Sequence, residues 1–166
     1  MGYTTEFKGA FYLDKPLEKR HAEYLLDFAK SRRYKRDSKS TERLLDYSRE
    51  NVNLPIGNEG EYYVGNDSSS LVDYNSPPST QPGLWCQWVP GHEETPLEEI
   101  TDELQANSIV WDEGEKFYEY IPWLIYIIDN FLKPWGYVLN GEVEYFGELR
   151  EDYGTIVCKN NNVSSI

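Results

Sequence analysis

The sequence predicts an α+β fold: an antiparallel sheet with two long helices packed on one face. Three observations predict it. Thr4–Leu13 alternates, with Phe7, Gly9, Phe11 and Leu13 on one side and Glu6, Lys8 and Tyr12 on the other, the pattern of a half-buried strand. LEKRHAEYLLDFAKSRR sets Leu17, His21, Leu25 and Phe28 on one stripe, with Ala22, Leu26 and Ala29 beside it, as an amphipathic helix of about four turns does. Val110–Phe146 reads as capped helix, hard stop and strand, and holds three of the five tryptophans. Strands and helices grouped in runs mark the α+β class.

The elements follow in order. Asp14 and Pro16 signal the start of the first helix. Residues 31–58 are rich in Ser, Asn, Lys and Arg and read as an irregular basic loop, with a short helix at Thr41–Arg49. Glu61–Gly65 reads as a brief strand, and Asn66–Gly83 as turn-rich coil, which in a compact domain is usually functional or mobile. Leu84–Val89 (LWCQWV) is apolar on both faces and predicts a central strand. Pro90–Gln105 predicts an acidic insertion outside the sheet core. Within it Leu97, Ile100 and Leu104 have helical spacing, so Pro96–Gln105 is expected to be a short helix. Ser108–Trp111 resumes a strand. The main helix is expected from Asp112, because Asp112 and Glu115 have capping-box spacing. Phe117, Ile121, Leu124, Ile128 and Phe131 make its buried stripe. Pro122 removes one helical hydrogen bond, which predicts a kink near Tyr118 or a fresh start at Pro122. Pro134 and Gly136 end the helix. Tyr137–Phe146 is a strand with a bulge or tight turn at Asn140-Gly141. Thr155–Cys158 and Val163–Ser165 are two last strands, split by the Asn160–Asn162 turn. The whole reads as a single domain over residues 1–166, with the basic loop at about 31–58 and the acidic insertion at about 90–106.

At 166 residues the chain can bury a sizeable core, and 39% hydrophobic with 15% aromatic content excludes a disordered chain. The formal charge is −13 and unevenly placed. Residues 1–49 carry 12 Lys/Arg against 8 Asp/Glu, and residues 50–166 carry 4 against 21. A field of that sign repels phosphate backbones and anionic membranes, which argues against direct nucleic-acid binding. It attracts basic protein surfaces. Cys86 and Cys158 both sit in strand-like segments and read as buried free thiols of a reducing compartment, with a disulfide left open. The longest apolar run, IPWLIYII, is about half of a membrane span. The N-terminus lacks a secretion signal, so the expected compartment is a cytoplasm.

Tests for chemistry come back mostly empty. His21 and His92 have no ligand partners at zinc spacing, so no metal and no cofactor is expected. His21 belongs to a helix face as a core or boundary residue. No nucleophile elbow, Walker A or dinucleotide fingerprint is present. Between two tryptophans the Cys86 thiol should have a raised pKa. Asp112, Glu113 and Glu115 beside Trp111 resemble the parts of a glycosidase site, but helix N-termini favour acids on their own account. The run SRRYKRDSKSTER offers cations and Tyr34 to phosphate, or is a solvated loop that offsets the acidic body.

The most partner-like feature is the acidic insertion. Glu93, Glu94, Glu98, Glu99, Asp102 and Glu103 fall in eleven residues without a Lys or Arg. They are the expected contacts to a basic protein surface. The competing expectation is an aromatic cleft lined by Tyr74, Trp85, Trp88 and Trp111, which would bind or hydrolyse a nucleotide or sugar. Trp85 and Trp88 differ by three positions, so they cannot share a strand face.

PPSTQPGLWCQWVP, followed by WDEGEKFYEYIPWLIYIIDNFLKPWGYVLNGEVEYFGE, resembles a family of small uncharacterised proteins found in bacteria and tailed phages. GYTTEFKGAF and TIVCKNNNV extend the resemblance over most of the chain. It supplies no catalytic residues. His92–Gln105 is longer here than the family pattern, and Pro122 interrupts a helix usually free of proline. Phage occurrence points to a host-interaction role, such as inhibition of a bacterial defence factor, and the leading expectation is a non-catalytic interaction protein in the bacterial cytoplasm.

Overall fold

The structure is a computed structural model that describes residues 2–37, 39, 46–65, 67 and 71–166. Its strands in chain order are β1 (Glu6–Leu13), β2 (Lys35–Arg36), β3 (Leu71–Asp73), β4 (Trp88–His92), β5 (Thr95–Pro96), β6 (Ser108–Trp111), β7 (Leu139–Phe146), β8 (Tyr153–Lys159) and β9 (Asn162–Ser165). The helices are α1 (Lys19–Lys30), α2 (Tyr47–Asn51) and α3 (Tyr120–Ile127), the last running into one π-helical turn at Ile128–Leu132. The class is α+β. Seven strands form one antiparallel sheet in the order β5-β4-β6-β1-β7-β8-β9, and β2 pairs with β3 apart from it.

The alternation in β1 sets the register of this sheet. Phe11 lies opposite Ile109 of β6, and Leu13 opposite Leu139 of β7. Val143 then meets Ile156, and Gly141 meets Cys158, across β7 and β8. Phe7, Phe11, Ile109, Leu139, Val143, Ile156 and Cys158 therefore share one face. They are buried in one cluster with Ala22, Leu25 and Phe28 of α1 and Trp123, Leu124 and Ile127 of α3. The opposite face is largely open to solvent, with Lys8, Tyr12, Glu142, Glu144 and Phe146 exposed. Ala10, Val89 and Val110 are the exception; they form a small cluster with Leu26 and Ala29 of α1.

The helices are shorter than expected, at 12 residues for α1 and 8 for α3. The main helix does not begin at Asp112. Asp112 Oδ1 accepts from the Gly114 N–H at 2.8 Å in a tight turn, not a cap. Glu113, Lys116 and Glu119 then take positive φ of 68°, 61° and 58°, which breaks helical continuity. Helix starts only after Glu119, which puts Pro122 inside the first turn, where a missing N–H costs nothing. At the far end the Asn130 side-chain amide donates to the Tyr126 carbonyl at 3.0 Å, and Lys133 N–H reaches Ile128 O at 2.8 Å, a wide turn.

Other boundaries move as well. Leu84–Gln87 is not strand; β4 begins at Trp88 and carries buried Pro90 and Gly91, so the start of the acidic segment lies inside the sheet. Pro96–Gln105 is not helical. Its Leu97 N–H is held by the Pro90 carbonyl at 3.1 Å, which extends the hairpin instead. Glu61–Gly65 is turn, and Leu71–Asp73, expected as coil, is β3. The short helix falls at Tyr47–Asn51; residues 41–45 of the expected Thr41–Arg49 helix lie outside the described residues. The last two strands meet at Asn160 and Asn161, both left-handed at φ 50° and 69°, a two-residue hairpin turn. Among the described residues no helix is long and apolar enough to cross a membrane.

The basic loop is held from within. Arg33 is 3% exposed; its Nη1 donates to Tyr63 O at 2.8 Å and its Nη2 to Glu61 O at 2.6 Å. Its guanidinium lies 4.2 Å from the Phe28 ring centre. Buried Arg36 sits between the Tyr34 and Tyr63 rings at 4.5 and 4.3 Å and donates to Asp67 O at 2.5 Å. Arg49 pairs with buried Asp46 at 2.7 Å and donates to Leu54 O at 2.6 Å. Three cations of the basic loop thus serve backbone carbonyls, the usual condition for burying charge.

No bulge or turn interrupts β7 at Asn140-Gly141. Gly141 pairs with both neighbours, at φ 142°, because a Cβ there would stand 2.8 Å from Ala10 O and 3.1 Å from Phe11 Cα. Gly141→Ala should therefore lower stability by about 2 kcal/mol, read as a lower urea midpoint at unchanged slope.

Candidate functional site

Leu84–Gln87 leads into β4 and is tied at both ends. Arg33 N–H donates to Leu84 O at 2.7 Å, and Asp112 N–H to Gln87 O at 2.9 Å. Side chains alternate along it. Cys86 points into the core, while Trp85, at 40% exposure, and Gln87 point out.

Facing them is Asp112–Glu119, the segment that displaces the helix start. Trp111 Nε1 donates to Gly114 O at 3.1 Å and Gln87 Nε2 to Glu115 O at 3.0 Å, so two side chains pin it to the sheet. Three non-glycine residues at positive φ within seven positions cost on the order of 1 kcal/mol each. Such strain persists only where surrounding contacts enforce it, and it gathers at functional segments.

Two grooves meet at Trp85 and Gln87. One, of about 710 Å³, runs between the end of α1 and Pro96–Glu98, with Asp112–Gly114 as its wall. The other, of about 530 Å³, runs between the Pro77–Leu84 loop and Glu115–Glu119. Desolvation pushes the Asp112 carboxyl above its ordinary range; the Gly114 N–H opposes the shift and Glu113 adds to it. Gln87 Oε1 is buried without a hydrogen-bond donor, and so is the Trp123 indole N–H without an acceptor.

The four aromatics expected in one cleft are not brought together. Trp88 is a core residue, 2% exposed, with its Nε1 on Tyr120 O at 2.7 Å and its ring 5.3–5.5 Å from Phe7, Phe11 and Phe117. Trp111 packs 5.3 Å from Phe7 and edges a separate hollow with Glu94 and Glu113. Tyr74 stacks on Tyr34 at 5.6 Å under the Arg32 guanidinium. Trp85 alone among them faces the grooves.

All six carboxylates of the acidic segment are exposed. Glu93 forms the tip of the β4–β5 hairpin at φ 54°, its N–H on Asn107 Oδ1 at 2.8 Å. Glu93 and Glu94 lie close enough to Tyr12 to add to the upward shift that burial gives its phenol. Glu98 borders the larger groove, with its carbonyl on Lys30 Nζ at 3.0 Å. Asp102 pairs with Lys19 at 2.9 Å, which lowers its pKa. Leu97 is buried and Ile100 packs beside it, whereas Leu104 is exposed, contrary to the docked helix face expected.

Other candidate groups are structural. His21 is buried, stacked on Trp135 at 4.0 Å and hydrogen-bonded to Tyr137 Oη at 2.8 Å through Nδ1, and burial lowers its pKa. Cys86 and Cys158 are free and buried, and desolvation pushes their thiols to about 12 and about 11. Gln87 was missed from sequence, although the alternation Trp85-Cys86-Gln87 places it beside Trp85. No family model, no curated protein and no solved structure matches the chain.

Because Lys116 holds φ 61° in this segment, Lys116→Gly should stabilise the fold by about 1 kcal/mol, measured as a higher urea midpoint.

Proposed function

We propose that the chain is a non-catalytic acidic interaction protein that occupies a basic surface of a partner protein. One observation carries the reading. Glu93, Glu94, Glu98, Glu99 and Glu103 are exposed, and among the described residues no Lys or Arg stands within ion-pair distance of their carboxylates. The segment is nonetheless positioned: Leu97 and Ile100 anchor it, and Lys30 ties its backbone to α1. Negative charge is thus presented from a fixed platform, which favours encounter with a positive surface and disfavours phosphate. The adjoining open sheet face adds Glu142 and Glu144, with Tyr12 and Phe146 as exposed apolar area. Aromatics ringed by charge are the composition of interfaces more than of reaction centres. The resemblance to proteins of bacteria and tailed phages makes a bacterial defence factor with a basic surface the partner we put forward, its inhibition the outcome.

The test begins with a partner isolated from bacterial lysate and titrated against the pure protein. Affinity should fall steeply between low and high salt. Replacing Glu93, Glu94, Glu98, Glu99, Asp102 and Glu103 by Gln should leave stability within about 0.5 kcal/mol of wild type, because exposed charges contribute little. The same variant should lose most of the binding and its salt dependence. Salt-insensitive binding, or full binding by the Gln variant, contradicts the proposal.

A further inference from the structure

We infer that the free edge of the sheet at β9 is a dimer interface, and that its occupant is the β9 edge of a second copy of this chain. β9 closes one side of the seven-stranded sheet and β5 the other. The two edges differ. β5 has two residues, one of them Pro96, with Glu94 before it and Glu98 just after. A short strand with proline and charge is a protected edge. β9 carries neither. Ile166 exchanges both main-chain hydrogen bonds with Thr155 at the start of β8, at 2.9 Å. By alternation Ser164 and Asn162 also turn their main chain toward β8. Val163 and Ser165 turn theirs outward, where no strand among the described residues meets them. The helix flank beside this edge is uncovered too. Val163 and Ser165 pair with Cys158 and Ile156, so their side chains lie on the core face, the face that carries α3. Yet Ser165 is exposed and Val163 only half-buried. α3 reaches β9. Its Tyr126 flank is closed, the ring stacked on Phe28 of α1 at 6.2 Å and the hydroxyl held by Gln81 Nε2. Ile121 and Ile125, one turn apart, lie on the other flank, toward β9, and Ile125 is 42% exposed.

The occupant has to supply an unpaired strand edge, with uncharged side chains to set against Val163 and Ile125. The chain supplies both itself. An antiparallel edge is self-complementary about a two-fold axis. An axis at Ser164 sets Val163 of each copy against Ser165 of the other, two pairs that each exchange both N–H···O bonds. The two sheets become one, and the α3 helices lie on the same side of it with their Ile125 flanks facing across the axis. Charge favours the same choice. The net charge is −13, so copies repel over most of their surface. Residues 153–166 contain no Asp or Glu, and α3 contains no charged residue. The β9 edge is therefore where two copies meet with least repulsion, and it offers a basic protein no carboxylate to pair with. The acidic β4–β5 hairpins fall at the far ends of the joined sheet, on the order of 60 Å apart at about 4.8 Å per strand, and stay free for the partner protein.

The test is sedimentation velocity of the full chain at about 5 to 500 µM, in low and high salt. The interface is of the small, transient class, so dimer should appear in the upper part of that range. The mass should rise from 19.4 kDa toward its double. Added salt should strengthen the dimer, because it screens the repulsion between two acidic copies. Binding of a basic partner protein weakens with salt, so the two readings fail separately. Ser165→Pro removes an outward N–H without touching the β8 pairing, and Ile125→Glu charges the helix flank. Each should weaken the dimer about tenfold or more with a native amide spectrum. Ser164→Cys sets thiols of the two copies opposite each other in a non-hydrogen-bonded pair, close enough to join, and should cross-link on mild oxidation. Asn162→Cys, which the same register sets against Ile166 of the second copy, should not. The native thiols of Cys86 and Cys158 are buried and take no part. Monomer at every concentration and salt, a dimer that Ser165→Pro and Ile125→Glu leave intact, or cross-linking by Asn162→Cys in place of Ser164→Cys overturns the inference. So does a monomer whose binding to the partner protein drops with Ser165→Pro, because the edge then takes a strand of that protein.

Discussion

The burial of Arg33 is the constraint on which the middle of this chain depends. Its guanidinium is out of water, with no carboxylate within ion-pair distance among the described residues, and is solvated by the carbonyls of Glu61 and Tyr63 and by the Phe28 ring. A buried cation held by neutral carbonyls is affordable only if every acceptor stays in place. The backbone of residues 60–63 is therefore locked to the end of α1. The consequences spread along the chain. Gln81 Nε2 donates to the same Glu61 carbonyl at 2.7 Å and to Tyr126 Oη at 3.0 Å, which ties the proline-rich loop to α3. Arg33 N–H holds Leu84, so the position of Trp85 follows from the position of Arg33.

The same burial shapes the surface field. Arg33, Arg36 and Arg49 come from the basic half of the sequence and turn inward, while the acidic segment stays exposed. Formal charge understates how negative the outside of the molecule is around the β4–β5 hairpin. A phosphate-binding role for the basic run loses its best cations to the fold, and an acidic contact surface gains contrast from the same arrangement.

Much of the sheet was legible because its signal is local. β1, β6, β8 and β9 follow alternation and turn chemistry, and Asn160-Asn161 announces its hairpin through residues that tolerate positive φ. What could not be read depends on contacts between distant segments. The helix start at Asp112 looked sound by capping rules, yet Trp111 and Gln87 hold the segment in a strained path that no local rule forecasts. Gly141 looked like a turn, but it is required by the approach of Ala10 and Phe11 from a strand some 130 residues earlier. The basic run looked solvated because burial of arginine by carbonyls leaves no pattern in the sequence. At the site, Trp85 was legible as an outward aromatic, whereas its grouping with Trp88 and Trp111 failed because those two fill the core beside Phe7.

The most direct test of the structural role of Arg33 is Arg33→Lys, followed by urea denaturation and backbone hydrogen exchange. Lysine keeps the charge but cannot reach the Tyr63 and Glu61 carbonyls together. The variant should lose about 3 kcal/mol of stability, with exchange protection falling first at residues 59–65 and 81–85. Wild-type stability with protection unchanged there would contradict the account, and would return Arg33 to the surface as a free cation.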